Sequence, residues 1–93
     1  MKGLGLDEGQ TEQAMQVSRA IQPALRGLDD GVQGAVLADL LSLWVAGHYV
    51  WGDEQATFDF RKQILEIHIQ AVIDLIPESS KEIAARFPTA GSA

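Results

Sequence analysis

The sequence predicts an all-α fold, a small up-and-down bundle of three main helices followed by a short C-terminal helix. Three observations carry this expectation. Two long segments place apolar residues at helical spacing, a third is apolar almost throughout, and no stretch shows strand-like alternation. Turn-forming residues fall between the segments: Gly27, the run Asp29-Asp30-Gly31, Gly52 with Asp53, and the prolines 77 and 88. The 93 residues fit a single domain spanning 1–93, with loose ends at about 1–8 and 88–93. A domain of this length buries only about 60–65% of the surface that its unfolded chain exposes, so the core has little margin.

The first helix is expected over about residues 10–26. Ala14, Val17, Ile21, Ala24, Leu25 and Leu28 share one stripe, with Glu12, Gln16 and Arg19 opposite. Pro23 should kink or stop this helix, and Gly27 suits the position just past its end. The second helix is expected over 31–48, with Asp30 as N-cap and Gln33 completing a capping box.

Between Ala35 and Ala46 only Asp39 and Ser42 are polar, and a helix so apolar needs cover on every side. Its bulky half holds Val36, Leu37, Leu40, Leu41, Leu43, Trp44 and His48 and should face the core. Its small half holds Ala35, Ala38, Asp39, Ser42, Val45 and Ala46 and should admit a second helix at close range, from this chain or from another copy.

The third helix is expected over 54–76, with Asp53 as a candidate N-cap and Pro77 as its stop. Phe58, Ile64, Leu65, Ile69, Val72, Leu75 and Ile76 form its stripe, and Ile67 and Ile73 widen the arc. Ser79 and Glu82 suggest a capping box that opens a short fourth helix over 80–87, which Pro88 ends. Three helices cannot easily wrap the second one. A homodimer with a two-fold interface would complete the cover.

Charge and composition exclude several function classes. The net charge is −6, and the seven basic residues are scattered. Nucleic acids and anionic membranes require clustered Lys and Arg, so neither is expected as a partner. The absence of cysteine removes disulfides and thiolate metal sites and permits a cytoplasmic setting. The N-terminal residues lack the apolar core of a signal peptide. The central apolar run carries Asp39 and falls short of the ~20 residues of a membrane span, so the expectation is a soluble, cytoplasmic chain.

No metal or cofactor is expected. The only histidines are His48 and His68, and the residue one turn before His68 is Leu65, which cannot ligate. No Gly-rich phosphate loop or nucleophile elbow is present, and no catalytic residue is assigned.

Some polar residues sit oddly in this pattern. His68 falls within the apolar stripe of the third helix, with Arg61 two turns before it. Asp39 is the one carboxylate in the apolar core of the second helix. Together His68, Asp39 and Arg61, with His48 as a further candidate, could line a pocket between helices, since bundles build sites from facing side chains. The plainer roles are a hydrogen-bonded core histidine, a paired structural acid, and a serine at 42 that bonds the carbonyl one turn back. The aromatic group Trp44, His48, Tyr49 and Trp51, with Asp39 and Ser42, forms the candidate interface, because tryptophan and tyrosine dominate binding hot spots. The expected function is therefore non-enzymatic: a homodimeric helical module for protein–protein interaction. The alternatives are a small-ligand or catalytic pocket at His68, Asp39 and Arg61, and an accessory or inhibitory protein from a mobile element.

Overall fold

The computed structural model describes residues 4–86 and contains three helices: α1 (Glu8–Leu25), α2 (Asp30–Ala46) and α3 (Glu54–Arg86), with no strand among the described residues. The all-α class is the one the sequence predicts.

α1 begins two residues earlier than its periodicity suggests, because Asp7 and Gln10 form a capping box. The Asp7 carboxylate accepts from the Gln10 backbone N–H at 2.8 Å, and the Gln10 side chain accepts from the Asp7 N–H at 3.1 Å. Pro23 neither kinks the chain out of the helix nor stops it at once; α1 runs two residues further. It ends where Arg26 turns extended and Gly27 takes φ +83°. The Leu28 N–H then donates to the Leu25 carbonyl at 3.2 Å, a tight turn whose third residue needs the positive φ that glycine supplies.

The expected Asp30–Gln33 capping box does not form. The N-cap is Asp29, with no side-chain capping bond, and Asp30 already lies inside α2. The Gln33 amide instead donates to the carbonyls of Leu25 (2.8 Å) and Leu28 (3.0 Å). The last carbonyls of a helix have no partner within it. The turn brings the Leu25 carbonyl at the end of α1 and the Leu28 carbonyl of the connector within reach of Gln33, and they take its amide in place of the cap.

The largest departure is at Pro77. The expected stop and the separate fourth helix over 80–87 are both replaced by one 33-residue helix with Pro77 inside it. Phe87, the last residue of that expected helix, lies outside the described residues. Proline removes one backbone donor and so frees the carbonyl four residues earlier. At 100° per residue Pro77 shares the polar side of α3 with Glu66 and Gln70, and all three are exposed. The freed carbonyl therefore faces water and is not stranded in a core. Beyond Pro77, Glu82 accepts from Arg86 at 2.7 Å at i,i+4 spacing, which supports helix rather than a new cap at Ser79.

α2 and α3 form an antiparallel pair. Arg61 meets the C-terminal end of α2, and His68, two turns later, meets Trp44. α1 lies along the C-terminal half of α3, where Arg86 donates to the Gln22 side chain at 3.0 Å. The packing is thin. Among the described residues only Ala71 is buried, at 4% exposure. The chain exposes 7517 Å², against about 5300 Å² for a compact monomer of its mass. Its radius of gyration is 16.0 Å, against about 12 Å for a compact domain of this length.

Candidate interaction surface

The corner between α2 and α3 is held by a cluster of side-chain-to-backbone hydrogen bonds. α2 ends at Ala46, and the connector turns at Gly52, whose φ is +77°. Three side chains of α3 and its cap hold the connector. Asp53 caps α3 as expected, accepting from the Ala56 N–H at 2.9 Å. The Thr57 hydroxyl donates to the Val50 carbonyl (3.0 Å) and accepts from the Val50 N–H (2.9 Å). Arg61 donates through Nε to the His48 carbonyl (2.9 Å) and through Nη2 to the Ala46 carbonyl (2.7 Å). A cation placed on the last carbonyls of a helix satisfies orphan acceptors and complements the helix dipole. Arg61 is thereby assigned a structural task.

Around this corner the rings stack. Trp44 lies 4.8 Å from His48, edge-on, and 5.0 Å from His68; His48 lies 5.7 Å from Phe60. His48 Nδ1 is 2.7 Å from the Trp44 carbonyl, one turn back in α2. The sequence therefore placed Trp44 and His48 together correctly, but Phe60 was not singled out, because it lies off the apolar stripe. Thr57 was also missed. Its only sequence signal is its position one turn into a helix, which is too common to single it out. Tyr49 and Trp51 meet in a tilted contact, ring centroids 5.7 Å apart, and both are exposed, Trp51 at 87%.

The predicted pocket residues do not converge by hydrogen bond or ion pair. Asp39 is exposed, makes no ion pair among the described residues, and offers its backbone carbonyl to the Ser42 hydroxyl at 2.8 Å. Ser42 thus takes the local backbone bond expected of a helical serine. His68 is half-buried, and its Nδ1 is sealed from solvent with no hydrogen-bond partner. Among the described residues no three His, Cys, Asp or Glu side chains gather as metal ligands.

The division of α2 into halves survives only in part. The line covered by α3 holds Leu41 and His48 from the bulky half and Val45 from the small half, all half-buried. Leu37, Leu40, Leu43 and Trp44 of the bulky half stay exposed, Leu43 at 64%. The reason is Arg61 and Thr57, which set how α3 sits on the corner. Between α1 and α2 the exposed leucines 37 and 40 join Val17, Ile21 and Leu25 in an open apolar groove of about 680 Å³. No helix among the described residues is long and apolar enough to cross a membrane. No family model matches the chain, and no curated protein or solved structure matches it.

Proposed function

We propose that the chain is a self-associating helical interaction module, a homodimer whose task is contact with protein and not chemistry. The observation that carries this reading is the uncovered surface of α2. Leu37, Leu40, Leu43 and Trp44 are each about half or more exposed in a helix whose only polar residues between Ala35 and Ala46 are Asp39 and Ser42. Apolar surface of this extent favours a partner, at roughly 25 cal/mol for each Å² removed from water. The chain also exposes ~2,200 Å² beyond the compact expectation, above the ~800 Å² that each subunit of a stable complex covers. Tyr49 and Trp51, outward at one end, supply the side chains that anchor a further protein.

Sedimentation equilibrium tests the reading. The expected mass is twice 10.1 kDa in the tens of micromolar. A monomer that persists at high micromolar concentration overturns it.

A further inference from the structure

This inference rests on the self-association just proposed and names a surface along which the second copy would dock. α3 bears two parallel lines of side chains. The inner line, from Thr57 through Arg61, Ile64, His68, Ala71 and Leu75, is the one α1, α2 and the connector cover. It is the less apolar of the two. The outer line is turned about 100° from it and holds Phe58, Leu65, Ile69, Val72, Ile76 and Ile83. Five of these six are between 48% and 62% exposed, and Leu65 is half-buried. The structure thus turns the mixed line of its longest helix inward and leaves the more apolar line open.

The spacing of the outer line is that of a coiled-coil seam, alternating four and three residues, with Lys62 and Ser79 filling the two remaining positions. It reads the same from either end about the midpoint between Ile69 and Val72. An antiparallel second copy therefore sets Phe58 against Ile83, Leu65 against Ile76 and Ile69 against Val72. The two polar positions also meet, Lys62 against Ser79. A parallel copy would set Lys62 against its own image, and facing like charges destabilise. Beside Leu65 the line opens into a groove of about 370 Å³ whose far wall is Ala38, Ser42 and Ala46, the small face of α2. Small side chains there let a neighbouring helix approach closely. The surplus surface exceeds what one subunit of a stable dimer covers, as calculated above.

We propose that the second copy docks along this line, the two α3 helices crossing antiparallel about a two-fold axis between Ile69 and Val72. The chain has no cysteine, so single cysteine variants give unambiguous cross-links. Lys62→Cys and Ser79→Cys, which remove no apolar contact, are mixed and treated with a short bismaleimide. The expected product is a covalent dimer in the mixture and none from Lys62→Cys alone, whose two copies would lie about 25 Å apart. Phe58→Cys with Ile83→Cys gives a second, independent pair. Helicity by circular dichroism and mass by sedimentation accompany each sample.

A dimer in which Lys62→Cys links to itself, or in which neither mixed pair links, overturns this seam while self-association stands. A wild-type monomer overturns both. Ile69→Lys should raise the dissociation constant about 100-fold or more, since it buries an unpaired charge, whereas Gln63→Lys on the solvent side should not. An unchanged constant for Ile69→Lys also overturns the seam.

Discussion

Arg61 joins a residue's chemistry to the course of the chain. Its guanidinium fork spans two carbonyls at the end of α2, and this sets where α3 crosses α2. Arg61→Ala should therefore cost about 1.5–3 kcal/mol, the range for hydrogen bonds to a charged group, read as a drop in urea midpoint at constant slope. Arg61→Lys should recover only part of the loss, because an ammonium cannot hold both carbonyls with one planar fork. Thr57→Val tests the same corner with nearly the same shape. It removes both bonds to Val50 and should cost about 1–2 kcal/mol, with hydrogen exchange at the Val50 amide accelerated. His68 differs in kind. Its Nδ1 makes no bond that its substitution would break, so His68→Phe should be tolerated within about 1.5 kcal/mol, as volume-conserving core changes are. A larger loss in the same denaturation measurement would assign the ring a polar partner.

At the scale of elements, α3 shows how a local rule can be outweighed. Proline disfavours a helix interior by about 3 kcal/mol, yet 33 residues continue through Pro77. The proline lies on the water-facing side, and the turns beyond it are held by the Glu82–Arg86 pair and by the Arg86 bond to Gln22 of α1. Pro77→Ala should restore one backbone bond and raise stability by about 1–3 kcal/mol, with a gain in helicity by circular dichroism. A loss on that substitution would mean that Pro77 itself restrains the backbone to the benefit of the fold. The start of α2 follows the same logic in reverse. The sequence offered a capping box at Asp30, but the carbonyls of Leu25, at the end of α1, and of Leu28, in the connector, took the Gln33 side chain instead.

For the whole molecule, the thin packing and the surplus surface tie stability to association. If folding and self-association are linked, the melting temperature should fall as the protein is diluted about a hundredfold, because mass action removes the partner's contribution. A melting temperature independent of concentration would separate the two and leave the monomer stable by its own contacts. That outcome would be unusual for a chain in which Ala71 is the only buried residue among those described.

What the sequence determined by itself is the local part: the all-α class, the three helical segments, the ends at Gly27 and Asp53, and the placing of Trp44 and His48 on one side of α2. These rest on spacing and on backbone chemistry within a few residues, which periodicity and capping rules read directly. Only the tertiary structure decided which face of each helix is covered. Ile64 and Leu75 share an apolar stripe in sequence with Ile69 and Ile76, yet the first two turn inward and the last two stay open. Pro77 reads as a stop until the side it occupies is known. Asp39 and His68 could be drawn together on paper, and no bond joins them. The physical reason is common to all three. Helical spacing sets each residue's angle about its own axis, but the rotation of one helix against another is set by a few long-range polar contacts, here those of Arg61, Thr57 and Gln33, whose partners are backbone atoms that carry no mark in the sequence.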